Sequence, residues 1–546
     1  MLFNRFSPAQ WKAPCQRRCC RREGTLLLIV LVTVVVLSLS AYTFTTLMQT
    51  ENQATHLMTL RLQTKYLTDS GLDYTRMFLA NSDATIRENG GLWNNEESFG
   101  GISVAADVSG GGRIGYFSIV TYDVDAEGLA AGSRFGLVDE SSKINLNTLV
   151  FSDALQEGSA REILMQLPEM TEEIADSILD WVDSDDEARE NGVESEFYEG
   201  LSPAYAAKNG PMDSLDELLL IPGVTPQLLF GLDTNRNGIL DPEETRSNDI
   251  SINDQDLHLG WSAFLTLYSK ESNLTDEGLP RINVNADDLE QLYDDLKSAF
   301  SDDWANMVIL YRCAPASKIS SVNLDDAANN VLALDSARVE LDFGVLQSER
   351  KFETILDLVN LSIDVGQTDG EFAGVTTPED VLSDTVISPV TSTNMRTTVP
   401  LMMESLTTFE GTTIPGRINI MQATRRVLLA IPGLDEETVD LIIESRGTDF
   451  ELEDPDGADL NRQYETWLMV ESLIDVNTMK ELMKYVCTGG NVYRAEIVGY
   501  FPDGIGTSRS EAVIDTTIPV PRVVFWRDKS HLPTGYTIES LGLNLE

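Results

Sequence analysis

The chain has 546 residues, enough for about three or four domains of ordinary size, and its 42% hydrophobic content permits buried cores. A net charge of −49, from 39 basic and 88 acidic residues, opposes binding to nucleic acid. Three histidines, none beside an acid and a nucleophile, give no basis for catalysis, and five cysteines exclude a disulfide scaffold. We therefore expect a folded, acidic, multidomain protein that is not an enzyme.

The N-terminal segment joins a basic stretch to a long uncharged one. Residues 1–23 carry six Arg and Lys side chains and one Glu, whereas residues 24–50 carry no charge. The uncharged run would form ~40 Å of helix, which is enough to cross a bilayer. Because basic flanks stay cytoplasmic, we expect a single-pass protein whose bulk lies on the other side of the membrane.

Three interpretations of this segment are open. It is a secretory signal cut near Ser38 and Ser40, a plain membrane anchor, or a helix freed by cleavage after Gly24, which makes Thr25 the new N-terminus. The third arrangement is that of type IV pilin-like proteins. Residues 51–79 favour it, because they continue as an uninterrupted amphipathic helical pattern.

The apolar stripe of this helix has a seven-residue spacing. Leu60, Leu67 and Tyr74 form the stripe, and Leu57 and Met77 are predicted to extend it. A stripe of this kind predicts packing of the helix on a sheet or on other helices.

Ile29 occupies the fifth position after Gly24, where most pilin-like subunits carry Glu. A carboxylate inside a bilayer is costly unless a neighbouring charge pairs with it. An apolar residue at this position suits a subunit with no neighbour above it, at the tip of a filament, and equally suits an ordinary anchor.

Strand-like patterns lie near both ends of the part beyond the membrane. They cover residues 113–125, 133–139, 491–500 and 519–526, while residues 140–487 are predicted to be mostly helical. The predicted fold class is α+β: a type IV pilin-like long N-terminal helix plus an antiparallel sheet, split by a large helical insert of helix-hairpin-helix or SAM-like modules.

The insert contains a threefold repeat. Motifs of the type Ile-Asn-apolar, followed by Asn or Met, begin at residues 144, 282 and 418, and their Asn side chains are expected to cap helices. Residues 430–446 of the third copy resemble a helix-hairpin-helix, a module often used on DNA. Its turn carries Asp435, Glu436 and Glu437 where lysines would be needed, so helix packing is favoured over nucleic-acid binding.

A twelve-residue calcium loop is predicted at residues 233–244, with Gly238 at the sharp sixth position. We expect it to be a structural clip rather than a sensor. The predicted ligands are Asp233, Asn235, Asn237, the carbonyl of Ile239, Asp241 through water, and both carboxylate oxygens of Glu244.

A second acidic cluster precedes this loop. Asp180, Asp183, Asp185 and Asp186 lie within seven residues, and Glu194 follows them. The cluster is either a second calcium site or a solvated acidic loop.

Several motifs together resemble the general secretion pathway protein K family, the large minor pseudopilin of type II secretion systems. The resemblance covers residues 20–235 and agrees with Ser70-Gly71 and Ile29. The motifs are VDESSKINLN at 138–147, ILDWVDSDD at 178–186, NGVE at 191–194, Tyr198, Tyr205, KNGP at 208–211 and SLDEL at 214–218.

This resemblance implies cleavage of the leader after Gly24 by a prepilin peptidase and methylation of Thr25. It also implies bound calcium, including at the Asp180–Asp186 cluster, and a pilin-type domain interrupted by a helical one. The expected role is to cap a short periplasmic filament and to prime its assembly for export across the outer membrane. The implied partners are other minor pseudopilins, the major pseudopilin, the inner-membrane assembly platform and the peptidase.

Two other functions remain open: a calcium-binding, membrane-anchored periplasmic binding protein, and a helix-hairpin-helix DNA-uptake protein. Cys313 and Cys487 either form a disulfide or remain buried free thiols.

The sequence features above also predict the domain boundaries. The domains are a leader (1–24), a transmembrane and amphipathic helix (25–80), the first part of the pilin-like domain (81–140), three insert modules (141–270 with the calcium loop, 271–380 and 381–487) and the C-terminal strands (488–546).

Overall fold

A helix of 57 residues, α1 (Glu23–Leu79), begins the described part of the chain. Residues Met1–Gln63 and Thr64–Glu546 form two units, and each is considered by itself. The computed structural model describes residues 23–104, 113–155, 158–239, 241, 244, 259–321, 339–366, 372–376, 385–446, 462–533 and 535–543.

The early part of α1 is apolar and exposed. Among the described residues it is the one helix long and apolar enough to cross a membrane, with a mean hydropathy of 2.5 over its most apolar window. Its apolar side chains there, Ile29 included, are exposed in the described part of the chain. A bilayer is the environment that would cover such a surface.

The predicted stripe on α1 is partly wrong. Leu60 and Leu67 are buried and Tyr74 is half-buried, but Leu57 and Met77 are 53% and 63% exposed. A step of three residues turns a helix by about 300°, so these two side chains leave the stripe on opposite sides.

A seven-stranded antiparallel sheet follows α1 and joins the two ends of the second unit. Its central order is β1-β2-β5-β6-β7, with β3 beside β2 and β4 beside β5. The predicted strands near residues 113–125, 133–139, 491–500 and 519–526 are confirmed, and so is the predicted splitting of the sheet by an insert. The strands are β1 (Ile102–Val104), β2 (Gly115–Val124), β3 (Ala130–Phe135), β4 (Val138–Asp139), β5 (Val492–Tyr500), β6 (Thr507–Asp515) and β7 (Arg522–Asp528).

A core cluster lies between the later part of α1 and the sheet. Phe78 and Phe99 pack there with Phe117 and Ile497 from β2 and β5. Gly71 permits the close approach, because a Cβ on it would lie 2.5 Å from Cγ2 of Ile497. Removal of these rings from water supplies most of the driving force for docking this part of α1 on the sheet.

The insert between β4 and β5 is built from short helices around one large core. Two more short helices, Asp83–Glu88 and Glu96–Phe99, lie between α1 and β1. The α-helices of the insert are Leu149–Leu155, Ser159–Leu164, Glu172–Val182, Ser195–Glu199, Pro226–Phe230, Leu289–Ala299, Asp302–Cys313, Met395–Ser405, Arg425–Leu429, Glu436–Arg446, Trp467–Val470 and Val476–Leu482. Short 3₁₀ helices are Glu140–Ser142, Leu146–Thr148, Leu215–Leu220, Trp261–Ala263, Ala316–Lys318, Ile355–Leu358 and, after β7, Glu539–Leu541.

The insert is less helical than predicted, because short strands close its segments. Each Ile-Asn motif is a two-residue strand rather than the start of a helix, and each pairs in parallel with a distant two-residue strand. The segment between the two strands of the second pair, Ile282–Asn283 and Leu406–Thr407, extends past residue 380, the end predicted for the second module. The three pairs are Ile144–Asn145 with Leu265–Thr266, Ile282–Asn283 with Leu406–Thr407, and Ile418–Asn419 with Val486–Cys487.

Antiparallel strands complete the pairing. They are Lys270–Ser272 with Thr413–Pro415; Leu361–Asp364 between Ile319–Ser321 and Thr385–Ile387; and Glu340–Leu341 with Val375–Thr376.

The repeated Asn has the same local role in all three copies. The side-chain oxygens of Asn145, Asn283 and Asn419 each accept from the backbone N–H two residues later, at 3.0, 2.9 and 2.9 Å. These are turns closed by the Asn side chain, and only the first of them caps a regular element, the 3₁₀ turn Leu146–Thr148. The repeat predicted from the sequence is therefore a repeat of structure.

Candidate metal centres

The predicted calcium loop folds tightly around Asp233. The two carboxylate oxygens of Asp233 accept from the backbone N–H groups of Asn237 and Gly238, at 3.1 and 2.6 Å. Gly238 has φ +76°, as the sharp turn at the sixth position requires. Burial, with Glu244 adding to it, raises the pKa of Asp233 to about 6.

Glu244 closes the loop from its twelfth position. Its carboxylate accepts from the backbone N–H groups of Thr234, Asn235 and Asp241, at 2.9, 3.1 and 3.1 Å. Asn235 in turn donates to the carboxylate of Asp241 at 2.8 Å. The donor set is all oxygen and holds two buried carboxylates, Asp233 and Glu244, which is the chemistry that calcium prefers.

The loop is attached to the sheet at several points. A Cβ on Gly238 would lie 1.9 Å from Cβ of Tyr122 on β2, so the loop backbone contacts this strand directly. Asn237 donates to the carbonyl of Gly535 at 2.8 Å, and the hydroxyl of Tyr536 donates to the carbonyl of Asn237 at 3.2 Å. The loop therefore joins the insert to the C-terminal part of the pilin-like domain.

Three of the residues predicted for the second acidic cluster lie close together. Asp183, Asp185 and Glu194 each bring a carboxylate oxygen within 4.8 Å of the others. Asp183 ends the helix Glu172–Val182, and Glu194 precedes the helix Ser195–Glu199, so two helix ends bring them together.

Glu194 is the unusual group in this cluster. It is 7% exposed, and within the described residues neither of its carboxylate oxygens has a hydrogen-bond partner; Oδ1 of Asp183 has none either. Burial, together with Asp180 and Asp183, raises the pKa of Glu194 to about 7. Buried carboxylates without partners are costly, and a divalent cation bound to these oxygens would offset the cost.

The prediction placed Asp180 and Asp186 in this site, and the structure does not. Asp180 is instead held by Arg189, whose guanidinium lies 2.8 Å from Asp180 and 2.5 Å from Oδ2 of Asp183. Asp186 is exposed and lies outside the group. Sequence reasoning missed Arg189, although it is the single cation between residues 180 and 199.

The other motif residues support the acidic loop. The ring of Tyr198 packs between those of Trp181 and Tyr205, with centroids 5.2 and 5.3 Å apart. Asn209 donates to the carbonyl of Asp185 at 2.6 Å, and Lys208 forms a salt bridge with Glu217 at 2.9 Å. These contacts hold the loop that carries the acidic cluster.

The remaining predicted residues lie elsewhere. Gly24 and Thr25 fall in the first turn of α1, while the rest of the predicted leader, residues 1–22, lies outside the described residues. The disulfide considered for Cys313 and Cys487 is not formed, since both are buried free thiols.

Comparisons with known proteins agree with the motifs. Residues 142–233, which include the acidic cluster and Asp233, match the family model described as type II secretion system (T2SS), protein K. No curated protein matches the chain. Among solved structures, the crystal structure of the GspK-GspI-GspJ complex from the enterotoxigenic Escherichia coli type 2 secretion system is similar, at 10% identity and a TM-score of 0.30. That match covers 88% of this chain and 98% of that one. The matched segment and the motifs within it thus agree in pointing to similarity with type II secretion system protein K.

Proposed function

We propose that the protein occupies the tip of the type II secretion pseudopilus and primes its assembly for protein export across the outer membrane. The observation that carries the proposal is the family match at residues 142–233 in a chain that begins with an apolar helix of membrane length. Protein K of this system is a pseudopilin, and pseudopilins assemble through their N-terminal helices.

The tip position is favoured by Ile29. This side chain is 57% exposed on α1 and apolar, so it offers no charge to a neighbouring subunit within the membrane. A subunit with another above it would benefit from a carboxylate here, whereas the last subunit would not. The size of the insert between β4 and β5 also suits a position that needs no neighbour above.

The proposal includes processing and location. A prepilin peptidase cuts after Gly24, Thr25 is N-methylated, α1 anchors the chain in the inner membrane, and the second unit lies in the periplasm. The partners are other minor pseudopilins, the major pseudopilin, the assembly platform and the peptidase.

Calcium has a structural role in this proposal. In the loop at residues 233–244 the ion would keep the insert attached to β2 and to the C-terminal segment. Its ligands would be Asp233, Asn235, Asn237, the carbonyl of Ile239, Asp241 through water, and Glu244. At the second centre it would bind Asp183, Asp185 and Glu194 and remove the repulsion between these carboxylates.

Mass spectrometry of the mature N-terminus tests the pseudopilin part. We expect N-methylated Thr25 in cells with the peptidase, and an intact leader both in cells without it and in a variant with Gly24 replaced by a bulky residue. An intact Met1 in the first strain, or a cut near Ser40, would favour the plain anchor or the secreted protein and contradict the proposal.

Filament assembly tests the tip position. Deletion of the chain should lower the number of pseudopili that start without changing those already formed, because only initiation depends on a tip subunit. Affinity purification of the full chain in detergent should recover other minor pseudopilins in equal amounts. Recovery of the protein at many positions along a filament would contradict a terminal position.

A further inference from the structure

A cavity of about 110 Å³ lies between the sheet and the first segment of the insert. Strands β2, β5, β6 and β7 form one wall, and residues near 214–216, 230–238 and 259–268 form the other. The proposed calcium loop contributes Asp233, Asn237 and Gly238 to the lining of this cavity. Its walls carry five basic side chains: Lys143, Arg236, Arg494, Arg527 and Lys529.

Most of these cations share carboxylates with one another. Arg494 bonds Glu140 at 2.8 Å and also pairs with Glu511. Lys143 lies 3.4 Å from Glu140, and Lys529 lies 3.4 Å from Glu511. Each of these two carboxylates therefore compensates two cations.

Glu496 and Asp216 each also interact with two cations. Arg509, which adjoins the wall on β6, donates to Glu496 at 2.8 Å, and Lys529 binds the same carboxylate at 2.9 Å. Asp216 pairs with Arg527 and lies 4.0 Å from Arg236. The guanidinium of Arg236 stacks over the Phe230 ring at 3.6 Å.

The cluster consequently contains more positive than negative charge. Its six cations, Lys143, Arg236, Arg494, Arg509, Arg527 and Lys529, face four carboxylates, Glu140, Asp216, Glu496 and Glu511. A fifth acid at the wall, Asp233, is a ligand of the proposed calcium ion. Counted with Asp233, the described side chains of the cluster carry a surplus of one positive charge.

The two cations that share Asp216, Arg236 and Arg527, are 29% and 26% exposed, and that one carboxylate compensates both of them. A second anion between them would be favoured by both guanidinium groups. In a chain with a net charge of −49, such a positive cluster is a local exception.

We infer that this cavity binds a small organic anion, a carboxylate on a compact apolar body. The negative group lies between Arg236 and Arg527, and the apolar body contacts Phe230, Phe525 and Tyr268. An enclosed cavity of about 150 Å³ holds benzene, whereas this one of about 110 Å³ is partly open to solvent, so an acid of the size of benzoate would lie only partly inside it.

Isothermal titration of the full chain in detergent, saturated with calcium, tests the class of ligand. The probes are benzoate, its neutral isostere benzamide, and sulfate. We expect benzoate to bind at least tenfold more tightly than benzamide, because the charge is what the cavity lacks, and more tightly than sulfate, because the aromatic wall is used. No benzoate binding, or equal binding of benzamide or of sulfate, would overturn the inference.

Two substitutions with opposite expected effects test the charge surplus. Arg236→Gln removes a cation and should weaken benzoate binding about tenfold, whereas Asp216→Asn removes a carboxylate and should tighten it. Arg522→Gln, on the same strand as Arg527 but exposed and outside the cavity, is the matched control and should leave binding unchanged. The same sign of change for the first two variants, with circular dichroism showing both folded, would overturn the inference.

Discussion

The guanidinium of Arg509, on β6, donates to the backbone carbonyl of Asn235 at 2.9 Å and to that of Arg236 at 3.0 Å. A side chain of the sheet therefore holds the backbone of the proposed calcium loop. Arg509 is itself oriented by Glu496 on β5. Ligand binding in the insert and stability of the sheet should thus be coupled.

Substitution of Arg509 tests this coupling. Arg509→Gln should lower the free energy of unfolding by about 3–5 kcal/mol, since it leaves Glu496 buried with one partner fewer. It should also weaken calcium binding to the loop, because the carbonyls of Asn235 and Arg236 lose their donors. Denaturant unfolding and calcium titration measure the two effects, with Arg522→Gln as control. Unchanged calcium affinity in a destabilised variant would show that the loop is held by other contacts.

Removal of a loop ligand should reproduce the effect of chelation. Glu244→Gln should lose one of two bound calcium ions and lower the melting temperature, while EDTA should lower that of the wild-type protein in the same direction. Glu277→Gln, an exposed site, serves as the matched control. Calorimetry and metal analysis provide the measurements. If EDTA left the melting temperature of the wild-type protein unchanged, a structural role for the ion would be excluded.

At the second metal centre, calcium should decide whether replacement of Glu194 stabilises or destabilises the protein. In EDTA at pH 8, Glu194→Gln should stabilise the protein by about 1 kcal/mol, because it removes a buried carboxylate that repels Asp183. With calcium, the same variant should be less stable than wild type, since a ligand is lost. Glu196→Gln, two residues away and exposed, should change neither value. A Glu194→Gln variant less stable than wild type in both conditions would argue against a metal at this position.

Gly71 should be intolerant of a side chain. Gly71→Ala places a Cβ 2.5 Å from Ile497 and 3.0 Å from the Phe117 ring, which should cost about 1–3 kcal/mol despite the better helix propensity of Ala. Gly489→Ala is the control, because no atom lies within 4 Å of the added Cβ. Thermal unfolding compares the two. A stabilised Gly71→Ala protein would mean that α1 moves away from β5 without penalty.

Acid should weaken the fold through Glu140. Burial opposes its ionisation, but Arg494 and Lys143 hold its pKa at about 2, below the ordinary 4.5. The folded state therefore binds fewer protons than the unfolded state, and about 3 kcal/mol of stability present above pH 4.5 is lost as the pH falls towards 2. Glu140→Gln should be destabilised at pH 7 and show a flatter pH dependence below 4.5. Parallel curves for variant and wild type would contradict this.

Sequence patterns predicted β2 and β5 because apolar side chains alternate along both. They missed β6, whose sequence TSRSEAVID contains Arg509 and Glu511, although both side chains are buried. These charges are buried because Glu496, Arg494 and Lys529 compensate them. Hydrophobic periodicity cannot reveal such a strand, since partners distant in sequence decide whether its charges are tolerated.

In the candidate site, too, local patterns were predictable from the sequence, whereas contacts that depend on the fold were not. Ligand spacing predicts the loop at residues 233–244 because every ligand is local in sequence. The acidic cluster was predicted too broadly, since the pairing of Asp180 with Arg189 depends on how residues 183–194 fold back. The Ile-Asn repeats were recognised as repeats, but their pairing with distant strands, two of them more than a hundred residues away, has no local signal.

The sheet has a consequence for the order of synthesis. Ser118 on β2 and Tyr500 on β5 share a hydrogen bond at 3.1 Å, although 382 residues separate them. At about 5–20 residues per second, the first strands leave the ribosome roughly 20–80 s before their partners. During that interval β2 has no neighbour on its β5 side and depends on chaperones or on α1 for protection. A nonsense mutation just before residue 492 would thus remove three of the seven strands from a chain that is otherwise nearly complete.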